Sequence, residues 1–421
     1  MQNIQKTYLK FQVILCNIGN IVENEKIIDE VLVSYFKAPK SYTTEDMCEI
    51  NSHGGNVIMK KILELCLNNG AELATAGEFT KRAFLNGRID LSQAESVIDI
   101  INAKSEREAK EGIKQLEGYL AEEIKKIKSK ILDVMTNIEV SIDYPEYDTP
   151  EILEDDLKNK IQEALKKLEK LEKSFDNGKI IKEGIKTAII GKPNAGKSSL
   201  LNAILKEDRA IVTEYEGTTR DTIEEFVNIN GIPLKLIDTA GIRDTNNEVE
   251  KIGIEKSIKY AKEADLVILI IDGSKELEKE DREILEIVNP KKTIILLNKI
   301  DLKQQIDENT EEIIKFSNII KISALKKEGI EDLYNKIGEL FNLNEINVDN
   351  DIVITNERHK VQIQKAIQNL KNANESLNAG MPIDITSISL KNVLSNLGEI
   401  TGEEASEEII NEIFSRFCLG K

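Results

Sequence analysis

Eight consecutive residues, Gly191-Lys192-Pro193-Asn194-Ala195-Gly196-Lys197-Ser198, fit G-x-x-x-x-G-K-[ST] at every fixed position, and the chemistry this pattern serves is phosphate binding. The glycines leave backbone N–H groups free to surround phosphate oxygens. The N-terminus of the helix that opens at Ser199-Leu200-Leu201 favours the anion, Lys197 reaches the terminal phosphates, and the Ser198 hydroxyl suits magnesium. Three more segments follow in order. Gly217-Thr218-Thr219-Arg220-Asp221 offers a threonine that closes over magnesium and the last phosphate. Asp238-Thr239-Ala240-Gly241 puts a carboxylate at a strand end, where it holds magnesium through water, and a glycine that lets backbone approach the phosphate. Asn298-Lys299-Ile300-Asp301 supplies a carboxylate able to accept from both N1–H and the 2-amino group of guanine, and Ser323-Ala324-Leu325 completes the pocket. Adenine has neither donor, and a site built around such donors discriminates by roughly 10⁴ to 10⁵. GTP is the expected nucleotide.

Hydrolysis needs a further device. Ile242 stands where Ras-like GTPases carry a water-orienting glutamine. Phosphoryl transfer is accelerated chiefly by positioning and by positive charge against the transition state, from an arginine or a cation. Asn194 and Glu250 are therefore the residues of interest.

These motifs need strands that end in loops. Ile185–Ile190 is a short apolar run ahead of the glycine loop, and Leu234–Ile237, Leu266–Ile271 and Thr293–Leu297 read as further strands. Strands alternating with helices over residues 179–341 predict an open, largely parallel α/β sheet. On either side the period changes to that of helices. Ile113, Leu116, Leu120, Ile124, Ile127, Ile131, Val134 and Ile138 mark core faces, broken at Tyr144-Pro145 and Thr149-Pro150. Leu157, Ile161, Leu165, Leu168, Leu171 and Phe175 mark another helix that should stop before Asn177-Gly178. Beyond the α/β region, Val361, Ile363, Ala366, Ile367 and Leu370, then Leu390, Val393, Leu394, Leu397 and Ile400, resume the helical pattern. The nucleotide domain thus reads as an insertion between residues 87–178 and 342–421 of a helical domain, whose halves must pack on each other. Residues 1–86 read as a small α+β domain, with a strand over Glu30–Phe36 and a helix near Val57–Leu67.

Composition narrows the class. The 421 residues allow two or three domains, and 40% hydrophobic content supports substantial cores. A net charge of −18 repels phosphate backbones unless basic groups are gathered locally, so nucleic-acid contact must be local or shared. Four scattered cysteines and two histidines make no usual zinc site and suit a reducing, cytoplasmic setting. Leu266–Ile271, the most apolar run, falls far short of the roughly 20 residues a membrane span requires. His53 reads as a turn or packing residue and His359 as a surface one.

Taken with Ser41-Tyr42-Thr43, Glu45-Asp46, His53-Gly54-Gly55, Gly77-Glu78-Phe79, Arg82-Ala83-Phe84-Leu85-Asn86, the segment Gly241-Ile242-Arg243 to Glu250, and Cys418-Leu419-Gly420-Lys421, these motifs resemble the MnmE (TrmE) family of tRNA-modification GTPases. The likeness is clear from about Ile27, and it implies a shortened N-terminal tetrahydrofolate-binding and dimerisation domain. The fold class implied is multidomain: a Ras-like P-loop GTPase domain inserted in an all-α domain and preceded by that α+β domain. The resemblance further implies potassium held by Asn194, Thr213, Tyr215 and Thr218, magnesium held by Ser198 and Thr219, and attacking water positioned by Glu250. It places Glu49, Arg88 and Lys421 on a 5,10-methylenetetrahydrofolate or related one-carbon donor. Arg88 stands where a lysine is common, which keeps the charge but changes the hydrogen-bond geometry. Cys418 lies in the family's Cys-x-Gly-Lys hallmark, where a thiol could act on the substrate.

The reading that results is a homodimeric, cytoplasmic, potassium-activated GTPase without a membrane span. With an FAD-containing MnmG (GidA)-type partner it would form a heterotetramer that adds an aminomethyl or carboxymethylaminomethyl group to C5 of the wobble uridine of tRNA. The rival reading is a regulatory or ribosome-assembly GTPase that binds RNA without modifying it.

Overall fold

The computed structural model describes residues 15–143, 152–205, 225–229, 232–237, 259–341, 352–418 and 420. Strands β1 (Leu15–Glu23), β2 (Lys26–Phe36) and β3 (Met47–Asn51) come first, then helices α1 (Asn56–Asn68), α2 (Glu78–Leu85), α3 (Leu91–Ile101), α4 (Glu106–Leu116), α5 (Tyr119–Asp143) and α6 (Ile152–Glu183). The central region carries β4 (Ile185–Ile190), α7 (Lys197–Leu205), β5 (Glu225–Ile229), β6 (Ile232–Leu236), β7 (Leu266–Asp272), α8 (Lys279–Ile287), β8 (Thr293–Asn298), β9 (Ile319–Lys321) and α9 (Ile330–Leu340). The helices α10 (Glu357–Asn378), α11 (Ile383–Thr401) and α12 (Glu407–Ser415) follow. No helix among the described residues is long and apolar enough to cross a membrane.

Contacts divide the chain into two compact units, Met1–Ile98 with Gln115–Ser129 and Lys391–Lys421, and Asp99–Lys114 with Lys130–Leu390. In the first unit, β1, β2 and β3 form an antiparallel sheet in that order. The β1–β2 hairpin turns through Asn24 and Glu25, both left-handed at φ 49° and 64°, a two-residue turn whose twist matches that of its strands. A second cluster gathers Ala83, Ile89, Leu91 and Ala94 with Phe414 and Phe417, so residues far apart in sequence share one core.

Among the described residues of the second unit, six strands run in the order β5-β6-β4-β7-β8-β9, and only β5 is antiparallel to its neighbour. Every residue of β7 and of β8 is buried, which explains their unbroken apolar runs: a parallel sheet is covered on both faces. Burying each such Leu or Ile contributes about 1.5–3 kcal/mol relative to leaving it in water.

Three expectations need correction. Helix α6 does not stop at Asn177-Gly178 but continues to Glu183. The buried stripe Leu157, Ile161, Ala164, Leu168, Leu171 and Phe175 carries on to Ile181, and Gly178 falls on it where a Cβ would lie 2.0 Å from the Ile354 carbonyl oxygen. Gly178 is a close-approach residue; the helix ends instead at Gly184, whose φ of +76° is the left-handed stop. His359 is fully buried rather than on the surface, because it sits four residues before Ile363 on the inner stripe of α10. Ile113 is 47% exposed: α4 ends at Leu116 and Gly118 turns the chain at φ +90°, so Ile113 does not share the stripe that starts at Leu120.

Candidate nucleotide-binding site

At strand β4 the order of strand addition reverses, with β6 on one side and β7 on the other and both parallel to it. Ligands of open α/β sheets bind at that crevice, outside the carboxyl ends of the strands. Gly191 leaves β4 there at φ +148°, and a Cβ on it would lie 2.4 Å from the Ile270 carbonyl oxygen. Asn194 follows in the left-handed region at φ +63°, and Gly196 at +115° has the Asn298 side chain 2.0 Å from where a Cβ would be. Only glycines at 191 and 196 let the loop pass this close to β7 and β8. Helix α7 then begins at Lys197 with its N-terminus toward the loop.

Lys197 folds back on its own loop, donating from Nζ to the carbonyl oxygens of Gly191 at 2.6 Å and Lys192 at 2.7 Å. Burial pulls its pKa down to about 8. A buried ammonium facing carbonyls is under-compensated, and an arriving phosphate would supply the missing charge. Ala195 is buried and Ser199 exposed beside it.

Asn298, at the end of β8, donates from Nδ2 to the Ala195 carbonyl at 2.8 Å and accepts the Ala324 N–H at 3.0 Å. The glycine loop and the Ser323-Ala324 segment are therefore riveted to one side chain. Asp301 accepts from the Ser323 hydroxyl at 2.7 Å, and that bond, foremost, holds its carboxyl below the usual range. Asp301 is thus an oriented, ionised acceptor, as reading guanine's two donors requires. Leu325, also expected in the pocket, is 81% exposed.

Two supports escaped the motif reading. Lys299, left-handed at φ +65°, pairs its Nζ with Asp272 Oδ2 at 2.6 Å. Burial works to raise the Asp272 pKa, but Lys299 and Ser274 outweigh it and the carboxyl stays below its ordinary value. An aspartate closing the apolar strand β7 was the available signal. Lys192 is the other: its Nζ lies 2.6 Å from Asp281 Oδ2 and 3.1 Å from Glu278 Oε2.

Thr213, Tyr215, Thr218, Thr219, Asp238, Thr239, Ala240, Gly241, Glu250 and Lys421 lie outside the described residues. Glu49 is exposed on β3, opposite Ser34 of β2. Exposed Arg88 stacks its guanidinium 4.4 Å over the Tyr42 ring, and the Tyr42 hydroxyl meets Thr80 Oγ1 at 3.0 Å. Cys418 is an exposed free thiol whose carbonyl accepts the Gly77 N–H at 3.4 Å. His53 is not packed: its side chain is 77% exposed, and Asp29 accepts its backbone N–H at 2.9 Å and meets Nδ1 at 2.8 Å.

Known proteins resemble this chain over most of its length. The family pattern described as "MnmE helical domain" matches residues 91–418, and that described as "GTP-binding protein TrmE N-terminus" matches residues 2–88, upstream of Ile27 where the motifs alone begin. The chain is 53% identical over 406 residues to the tRNA modification GTPase MnmE of Clostridioides difficile, covering 96% of this chain and 88% of that one. It is 53% identical to the protein so described from Finegoldia magna, covering 96% and 89%, and 51% identical to that of Acetivibrio thermocellus, covering 96% and 89%. The G domain of the T. maritima FeoB iron transporter aligns at 28% identity over 37% of this chain and 98% of its own, with a TM-score of 0.27, too low to bear on the fold.

Proposed function

The chain belongs to the MnmE family of tRNA modification GTPases, and from that premise we propose that it hydrolyses GTP to support the modification of tRNA. The observation that carries the reading is the Asn298 rivet, which sets the phosphate loop and the Asp301–Ser323 pair into one nucleotide site. Lys197, facing carbonyls in a buried setting, fits a phosphate. Ser198 with Thr219 would hold magnesium, and Asn194 with Thr213, Tyr215 and Thr218 would hold potassium. When bound, these cations neutralise charge that develops on the transferring phosphoryl group. Glu250 orients the attacking water, because Ile242 cannot.

The protein acts as a homodimer in the cytoplasm, joined by an FAD-containing MnmG-type partner. It adds an aminomethyl or carboxymethylaminomethyl group to C5 of the uridine at position 34. Glu49 and Arg88 are exposed, as groups that recruit a folate from solution must be, and Lys421 would join them. Cys418 contacts the substrate.

Mass spectrometry of position 34 in a strain lacking this protein, with and without the gene restored, tests the reading. Loss of the C5 substituent on deletion and its return on restoration are expected. An unchanged uridine profile in the deletion strain would favour the regulatory GTPase instead.

A further inference from the structure

The Lys192 ammonium sits in the phosphate loop, where a cation would ordinarily be taken for a phosphate ligand. Its charge is already committed. The side chain is 14% exposed and lies between Asp281, 3% exposed, and Glu278, at 2.6 and 3.1 Å. Asp281 Oδ2 also accepts the Glu278 N–H at 3.0 Å, as one half of the capping box that starts α8. Moving Lys192 to a phosphate would leave a buried carboxylate uncompensated, a cost that a second loop lysine, Lys197, makes unnecessary.

The same residue is held from its other side, since its carbonyl accepts Lys197 Nζ at 2.7 Å. The loop is thus pinned at three places: Gly191 against Ile270, Ala195 against Asn298, and Lys192 against α8. Asn194 lies between the last two, exposed and left-handed. We propose that Lys192 is a positioning residue for GTP hydrolysis, anchored on the α8 carboxylates so that the backbone of residues 192–194 presents the Asn194 carboxamide at a fixed place. The inference rests on the proposed role of Asn194 as a cation ligand. A cation that must sit against the phosphates tolerates little displacement of its ligand, and a misplacement of about 1 Å costs on the order of a hundredfold in rate.

The test measures GTP hydrolysis against potassium concentration, and nucleotide affinity by fluorescence titration, on Lys192→Gln, Lys192→Arg, Asp281→Asn and the Gln/Asn double variant. Lys192→Gln should lower kcat about tenfold and raise the potassium half-saturation, with KM changed less than about threefold. Lys192→Arg should restore both, and the double variant should be no worse than Lys192→Gln alone. A rise in KM at unchanged kcat would make Lys192 a phosphate ligand and overturn the proposal. So would a fall in kcat that simply tracks melting temperature across the set. If the unaltered protein shows no preference for potassium over sodium, the cation reading of Asn194 fails; the anchoring role is then decided by the kcat and KM split and the arginine rescue.

Discussion

The side-chain amide of Asn298 donates to the carbonyl oxygen of Ala195 across 2.8 Å, joining residues 103 apart in the chain. Its Oδ1 takes the Ala324 N–H, and the side chain is nearly inaccessible at 3%. Read from the motif, Asn298 belongs to guanine recognition; in the fold it ties the guanine segment to the phosphate loop. Replacing Asn298→Ala strands two buried backbone groups, and each unmet group costs about 1–3 kcal/mol. We expect GTP and GDP affinities to fall together by roughly 10- to 100-fold. Titration with fluorescent nucleotides checks this, and a loss confined to one nucleotide would contradict it.

Asp301, by contrast, should act on the base alone. Ser323 holds its carboxylate in place, so Asp301→Asn keeps the shape of the site but presents a donor where guanine has its 2-amino group. GTP affinity should drop roughly a hundredfold or more, within the discrimination that donor-reading sites attain, while xanthosine triphosphate, which carries an acceptor there, should gain. Competition titration of the two nucleotides decides it. Equal affinity for both in the variant would remove Asp301 from base selection.

How far the sequence foretold these details depended on whether the information was local. Strands β7 and β8 were legible because a run buried on both faces is apolar along nearly its whole length, and β4 and β6 because their buried residues cluster into short apolar stretches interrupted by a single lysine each. The antiparallel edge strand β5 and the short β9 were not, since Glu225–Ile229 mixes Glu225 and Asn228 with its apolar residues and Ile319–Lys321 carries too few residues for a period to show. Gly178 misled for a related reason: as local signals, a glycine that ends a helix and one that admits a neighbouring carbonyl are the same residue. Only Ile354, far along the chain, distinguishes them. The commitment of Lys192 to α8 was likewise invisible, because its partners lie almost ninety residues away.

Glu108 gives a pH dependence with a definite sign. It is 6% exposed on α4, accepts the Lys104 N–H at 2.6 Å, and receives its own cap from Ser105 Oγ at 3.1 Å. Burial, only partly offset by Lys104, raises its pKa from 4.5 to about 7. The folded state therefore binds the extra proton between those values. The stabilising contribution is full at acid pH and is lost as pH rises through 7. Glu108→Gln should melt several degrees above the unaltered protein at pH 8.5, and the advantage should vanish near pH 5. A difference in melting temperature that is constant across that range would show the glutamate to be ionised in the fold throughout.

Cys418 should separate the two activities of the protein. The thiol is exposed, and its backbone is placed by Gly77, whose N–H donates to the Cys418 carbonyl at 3.4 Å. Gly77 is left-handed at φ +68°, and a Cβ there would come within 2.9 Å of Phe417 Cβ and 3.0 Å of the Phe414 carbonyl oxygen. The Gly77-Glu78-Phe79 segment thus fixes where the Cys418 backbone runs, although the two lie at opposite ends of the chain. If the protein modifies C5 of uridine 34 as proposed and the thiol touches that substrate, Cys418→Ser should abolish the substituent while leaving phosphate release from GTP nearly unchanged. Gly77→Ala should lower modification in part, by pushing the Phe414–Phe417 backbone aside without removing the sulfur. Mass spectrometry of tRNA alongside a phosphate-release assay reads both. Normal modification by Cys418→Ser would mean that the sulfur takes no part in the chemistry, and any loss in Gly77→Ala would then have to come from packing around Phe414 and Phe417 alone.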